Sequence, residues 1–273
     1  MEKISIIGAG NMGAAIAKGL LNKGNIKPRI VDSNEKRLID LRDQGLICST
    51  FLESISADEL VVLAIPPQAF SAFAANAKLL RGHQAPIVSI MAGIRMAEIS
   101  KLLDVPHVVR SIPNTPSEVY AGMTVFCASP MMTGASVNKV ISVFETFGKC
   151  VRVDDESLID PATALCGGGP AFTAFFADAM QKFAIGSGFN GKDAAIIAQQ
   201  VLRGTADLIE ASEKPPMQIC REVMTPHGTT ERGIRHFEEN RLREIVIGAL
   251  NQSARRSREI GRIQSTHTTE APR

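Results

Sequence analysis

The segment Gly8-Ala9-Gly10-Asn11-Met12-Gly13 constrains this chain more than any other, because it follows directly on the apolar run Ile4 to Ile7 and opens a helical pattern. A G-x-G-x-x-G hexapeptide alone is weak. With a strand before it and a helix after it, the pattern restricts the backbone to a βαβ unit of the dinucleotide-binding kind. Gly8 permits the tight turn, Gly10 lets a pyrophosphate approach the backbone, and Gly13 lets helix and strand pack closely. Met12, Ile16 and Leu20 then recur every four residues, with Gly24 as a stop, the spacing of an amphipathic helix. The unpaired N–H groups at its start would face the phosphates. The competing reading is a plain glycine-rich turn in an ordinary βα unit.

Asp32 ends the second β-branched run, 19 residues after Gly13. An acidic side chain there is placed to accept hydrogen bonds from both hydroxyls of an adenine ribose, which favours NADH. Ser33 and Asn34 can instead bind a 2′-phosphate, with Lys36 and Arg37 near enough in sequence to neutralise it, and Asp32 can equally serve as a helix N-cap. NADPH and NADH both stay open as cofactors.

From Lys3 to about Asp154, short β-branched runs alternate with helical stretches, which predicts a doubly wound, mostly parallel α/β sheet of the Rossmann kind. The expected strands are Ile4 to Ile7, Arg29 to Asp32, Leu60 to Ile65, Ile87 to Ile90 and Val108 to Ser111, with Thr124 to Ala128 and Cys150 to Val153 able to extend the sheet. After Asp155 the apolar period shifts from two toward 3.6, through Ala171 to Ile185, Ala194 to Ile209 and Ile245 to Ile260, so an all-α domain follows. The expected division is residues 1–155, 156–265, and a polar, flexible tail over 266–273.

With 30 basic against 28 acidic residues, the formal net charge of +2 points to neither nucleic acid nor a membrane surface as partner. No run reaches the roughly 18 apolar residues of a membrane span, and Met1 leads straight into Ile4 to Ile7 with no signal-peptide pattern. The five cysteines are odd in number and carry no C-x-x-C pair, so neither a disulfide framework nor a metal site is expected and a reducing cytoplasm fits. The expected ligand is a small molecule. The long apolar helices carry more hydrophobic residues than one small domain needs to cover itself, which predicts a homodimer.

Beyond the hexapeptide, Arg110-Ser111-Ile112-Pro113-Asn114-Thr115-Pro116 with Ala121-Gly122-Met123-Thr124 resembles the R-x-M-P-N-T-P…G-M-T signature of the pyrroline-5-carboxylate reductases. Val88 to Ile94 resembles their V-S-I-A-A-G-I turn, Cys166 to Phe172 their S-G-S-G-P-A-Y turn, and Thr225 to Thr230 their S-P-G-G-T-T loop. Order and spacing agree from residue 4 to about residue 260. The resemblance implies reduction of a cyclic imino acid, 1-pyrroline-5-carboxylate to L-proline, by NADPH or NADH. It also implies an N-terminal Rossmann domain and a helical domain through which subunits pair, as dimers that can assemble further. It places Asn11, Met12, Pro67 and Asn114 along the cofactor cleft, and Glu213, Thr229 and Thr230 in the substrate pocket, completed by the backbone at Gly228. Thr230 and Glu213 would orient the imine nitrogen, and His227, the one histidine inside a matched motif, is a candidate proton donor; His83, His107, His236 and His267 read as surface or packing residues. The segment before the helical run Glu231 to Glu239 can present N–H groups and hydroxyls to a carboxylate, or Thr225 or Thr229 can simply cap the helix.

The chain also departs from the family pattern. His227 stands where the first of two glycines is usual, Cys166, Gly168 and Phe172 stand where serine, serine and tyrosine are usual, and Ile65-Pro66-Pro67-Gln68 lacks the usual lysine. These departures keep open another cyclic imine, such as pyrroline-2-carboxylate or a thiazoline, and a non-catalytic protein that senses NAD(P). A β-hydroxyacid dehydrogenase would need a lysine at fixed spacing after its glycine-rich segment, and Lys182 does not keep that spacing.

Overall fold

The computed structural model describes residues 3–24 and 26–269, with side chains through residue 261. Eight strands form one sheet in the order β3-β2-β1-β4-β5-β6-β7-β8. They are β1 (Ile4–Ile7), β2 (Arg29–Val31), β3 (Ile47–Ser49), β4 (Leu60–Leu63), β5 (Ile87–Ser89), β6 (Val108–Ile112), β7 (Gly122–Ala128) and β8 (Gly148–Arg152). All neighbours are parallel except β6 and β7, which pair antiparallel from Val109 opposite Ala128 to Ile112 opposite Val125. The helices α1 (Asn11–Asn22), α2 (Glu35–Asp43), α3 (Phe70–Asn76), α4 (Met96–Leu103) and α5 (Gly134–Glu145) fill the crossovers.

A parallel sheet covered on both faces needs apolar residues at successive positions, and the strands comply. Ile6, Val62, Val88 and Val109 join Ile16 and Leu20 of α1 and Phe144 of α5 in one core. Their sequence neighbours Ile7, Val61, Leu63, Ile87 and Val108 join Phe70 of α3 and Ile99 and Leu103 of α4 in the other. Strand β3, absent from the expected set, is a three-residue edge strand whose Ile47 is exposed, so it lacks the apolar alternation that betrays a strand in sequence.

The remaining elements are helical: α6 (Ile159–Ala162), a π-helical turn at Thr163–Gly167, α7 (Gly169–Gly186), α8 (Gly191–Ser212), α9 (Pro216–Val223), α10 (Thr229–Glu239) and α11 (Leu242–Thr269). The sheet ends at Arg152 and the helices begin beyond it, as the change of period predicts. Compactness draws a later line, with Met1–Pro170 and Asn251–Arg273 in one unit and Ala171–Leu250 in the other. The reason is a polar core inside the first unit. Arg110, on β6, is 1% exposed and donates to Asp160 Oδ1 at 2.7 Å, and Ser257 of α11 donates to the same oxygen at 3.0 Å. Glu156 Oε1 lies 3.4 Å from Arg110 and accepts the Met96 N–H at 2.8 Å. Nearby, α11 and the turn after β5 touch backbone to backbone: a Cβ on Gly261 would lie 2.4 Å from the Gly93 carbonyl oxygen. His267 and the expected tail over 266–273 lie outside the described side chains, and 270–273 outside the described backbone.

Among the described residues no helix is long and apolar enough to cross a membrane, and no cluster of three His, Cys, Asp or Glu side chains is set to hold a metal ion. In the second unit, α7 exposes Phe175 and Phe183, the turn after it Phe189, and α8 Ile196.

Candidate functional site

The order 3-2-1-4 reverses direction between β1 and β4, and a cleft of about 750 Å³ opens at the carboxyl ends of these strands, where such sheets bind ligands. The glycines shape it in three ways. Gly8 has φ +109°, and a Cβ there would lie 2.4 Å from the Ala64 carbonyl oxygen. A Cβ on Gly13 would lie 2.0 Å from the Gly8 oxygen, so this glycine is what brings α1 against the strand. A Cβ on Gly10 would meet nothing within 4 Å, so that position is open to the cleft. Gly10 is the N-cap of α1 and contributes no side chain to its N–H groups, and no acidic residue occupies the first turn. The first N–H groups therefore stand at the positive end of the helix without an internal acceptor, a cradle that fits a pyrophosphate.

Gly8, Gly10, Asn11 and Met12 line the cleft together with Asp32, Ser33 and Arg37. Asp32 is nearly buried; its Oδ2 accepts the Ala9 N–H at 2.7 Å and its Oδ1 the Asn34 N–H at 2.8 Å. Arg37 reaches Oδ2 at 3.4 Å. Two of the residues read as possible phosphate ligands are placed otherwise. Asn34 is the N-cap of α2, its side chain accepting the Lys36 N–H at 3.1 Å, and neither Asn34 nor Lys36 is part of the cleft wall. The N-cap role weighed for Asp32 thus falls to Asn34. Pro67 opens the 3-10 turn Pro67–Ala69, next to Pro66 and Ala69, which do line the cleft. Asn114 stands at the end of β6, where its Oδ1 accepts the Met123 N–H at 2.8 Å and ties the loop to β7.

Cys166 is buried with Ile112, Cys127 and Ile159. The thiol at this departure from the family pattern is thus a packing group, where a ligand-facing position was expected. Burial pushes the Cys166 thiol up, and burial followed by the Glu156 charge pushes up that of Cys127.

In the second unit, α10 begins at Thr229, two residues before the expected Glu231, with extended Gly228 as N-cap and no side-chain cap. Neither Thr225 nor Thr229 caps the helix, because Thr225 Oγ1 is packed 2.2 Å from where a Gly228 Cβ would stand and Thr229 is already helical. Glu231 instead reaches back to accept the His227 N–H at 2.5 Å. His227 has φ +61°, the left-handed backbone that explains why glycine is natural there. Thr229 and Thr230 are exposed. Glu213 closes α8 as its C-cap, also left-handed at φ +54°. Lys182 of α7 pairs with Asp178 at 2.7 Å on the exposed face of its own helix.

Residues 156–260 match the family model for pyrroline-5-carboxylate reductase dimerisation, and residues 3–93 match that for NADP oxidoreductase, coenzyme F420-dependent. The chain is 33% identical to the pyrroline-5-carboxylate reductase of Pseudomonas aeruginosa, over 94% of its own length and 96% of that protein's. It is 31% identical to the one from Synechocystis, over 95% and 98%. The chain belongs to the pyrroline-5-carboxylate reductase family. It is therefore an NAD(P)H-dependent reductase by descent, with a Rossmann-type sheet followed by a helical dimerisation domain. Among solved structures, the pyrroline-5-carboxylate reductase of Coxiella burnetii superposes with a TM-score of 0.85 at 28% identity, covering 94% of this chain and 97% of that one. A pyrroline carboxylate reductase of Plasmodium falciparum, solved with NADP bound, shares the fold with a TM-score of 0.83 at 22% identity, over 95% and 99%.

Reading the sequence missed two parts of this reductase fold. Thr50, Phe51 and Leu52 line the cleft because they follow β3, whose Ile47-Cys48-Ser49 carries no strand pattern in sequence. The Arg110–Asp160–Ser257 cluster joins residues 50 and 97 positions apart in sequence, which no local pattern reports.

Proposed function

We propose that this protein reduces the C=N bond of a cyclic imino acid, converting 1-pyrroline-5-carboxylate to L-proline, as a homodimer able to assemble further. The observation that carries the reading is the start of α10. No side chain of its N-cap accepts its first N–H groups, and Thr229 and Thr230 add two exposed hydroxyls, so the turn offers donors to a substrate carboxylate, while the Glu231 carboxylate of the first turn is engaged by the His227 N–H.

A bound dinucleotide would supply the hydride. Asn11, Met12 and the open backbone at Gly10 hold its phosphates, Gly13 fixes α1 behind them, and Asp32 and Ser33 meet the adenosine ribose. Asn34 acts here by capping α2, while Pro67 and Asn114 shape the loops after β4 and β6. Gly228, Thr229 and Thr230 hold the substrate carboxylate. Thr230 and Glu213 orient the ring nitrogen, and His227 supplies a proton to it. Holding the reactants in register is the larger share of the task, because an iminium carbon is already electrophilic. The dimer is supported by the matched dimerisation segment and the exposed phenylalanines of α7 and the turn after it, and the five free cysteines suit a reducing cytoplasm.

A second reading, reduction of pyrroline-2-carboxylate or a thiazoline, is favoured by His227, which adds an imidazole where the family has glycine and accepts left-handed strain to do so. One experiment separates them: loss of the reduced-nicotinamide absorbance with each imine in turn. Fast turnover of pyrroline-5-carboxylate is expected. Turnover of another imine alone would establish the second reading, and dinucleotide binding without any turnover would make this a sensing protein.

A further inference from the structure

We propose that the cleft selects the dinucleotide that lacks a 2′-phosphate, NADH over NADPH, and that Asp32 is the residue that decides. The inference rests on the dinucleotide-reductase reading above.

Asp32 is fixed at the end of β2 by two backbone donors, Ala9 N–H at 2.7 Å and Asn34 N–H at 2.8 Å, and its side chain is 8% exposed in the cleft wall. A carboxylate has about four acceptor positions, so one remains after these two bonds and the longer one from Arg37 at 3.4 Å. A ribose hydroxyl brings a donor and matches it. A 2′-phosphate brings acceptors and a charge of about −2 against a carboxylate that the loop holds in place.

The groups that would reverse this preference are diverted. Asn34 and Lys36 both stand outside the cleft wall, and Asn34 Oδ1 is turned to the N-terminus of α2, where it accepts the Lys36 N–H. Arg37 does line the cleft, but its guanidinium already lies 3.4 Å from Asp32 and its side chain is 53% exposed, so the pair presents no net positive charge to a phosphate. Ser33 offers one hydroxyl. Lys78, the other cation of the wall, belongs to the segment after α3 and not to the end of β2. A ribose site built from a bracketed acceptor and a neutral pair selects by repelling the wrong partner as well as by bonding the right one.

The test is binding, measured by titration calorimetry of the purified full chain with NAD⁺ and NADP⁺, and with 5′-ADP and 2′,5′-ADP to locate the discrimination at the ribose. The expected result is NAD⁺ tighter by at least about tenfold, with the same order between the two ADP fragments. Asp32→Ser, checked for native circular dichroism, should shrink the ratio by at least about tenfold. Equal or tighter binding of NADP⁺ by the native chain would overturn the proposal, as would a folded Asp32→Ser protein with an unchanged ratio. If that variant does not fold, the native ratios decide alone. Binding of neither dinucleotide would refute the reductase reading itself, and the proposal with it.

Discussion

Asp160→Asn is expected to destabilise this protein by about 3 kcal/mol. The residue is 7% exposed, and its Oδ1 takes both the short bond from Arg110 and the bond from Ser257. Asparagine keeps the shape and one acceptor but removes the charge, leaving a guanidinium that is 2% exposed with its Nε already without a partner. Breaking a buried ion pair costs about 3–5 kcal/mol, most of it the desolvated charge left behind. The lower end applies because Glu156 remains 3.4 Å away. At about 2 °C per kcal/mol for a chain of this size, the midpoint should fall by about 6 °C at fixed protein concentration. Urea unfolding of the two proteins, at matched protomer concentration, measures the free energy directly. Replacing both partners, Arg110→Met with Asp160→Leu, should recover most of the loss, since no charge is left buried without a partner: Glu156, which also loses Arg110, is 25% exposed and keeps the Met96 N–H. A loss below about 1 kcal/mol for Asp160→Asn, or a double variant as unstable as the single, would refute the idea that this pair is held as a desolvated unit.

Gly261→Ala should destabilise by about 1–3 kcal/mol in thermal unfolding, although alanine is the better helix former, because its Cβ would meet the Gly93 carbonyl oxygen at 2.4 Å. His227→Gly should be neutral or stabilising by about 1 kcal/mol, since it releases a left-handed side-chain residue at φ +61°, and urea midpoints check this. Thr230→Val should lower kcat/KM for the imine by about tenfold, the worth of one hydrogen bond near 1.4 kcal/mol, with dinucleotide affinity unchanged by calorimetry. For Glu59, burial raises the carboxyl, but hydrogen bonds from Ser5 and the Ser56 N–H, with Arg29 beside it, outweigh burial and hold it below its ordinary value. A depressed folded value contributes stability that is present above the ordinary value of 4.5 and lost as pH falls through the folded one. The stability gap between native protein and Glu59→Gln should therefore be full at neutral pH and close in acid, as chemical unfolding at a series of pH values would show.

The sheet and the cofactor end were legible in sequence because their determinants are local. The strands from Ile4, Leu60, Ile87 and Val108 announce themselves by β-branched runs, and Gly8, Gly10 and Gly13 do so by a backbone geometry that few other residues permit. The loop before α10 was marked by its motif, but the helix expected from Glu231 starts at Thr229, because extended Gly228 takes the N-cap position. Tertiary structure alone decided which of several capable side chains lines the cleft. Asp32, Asn34, Lys36 and Arg37 lie within six residues of each other, and only the loop that brings the Ala9 N–H to Asp32 and the helix that claims Asn34 sort acceptor from cap. It also decided that Cys166 is buried among core residues, and that Arg110 finds its counter-charge, Asp160, on α6, where the hydroxyl of Ser257 on α11 meets the same oxygen. Such pairings depend on where distant segments cross, and hydrophobic period and turn chemistry describe a segment only against itself.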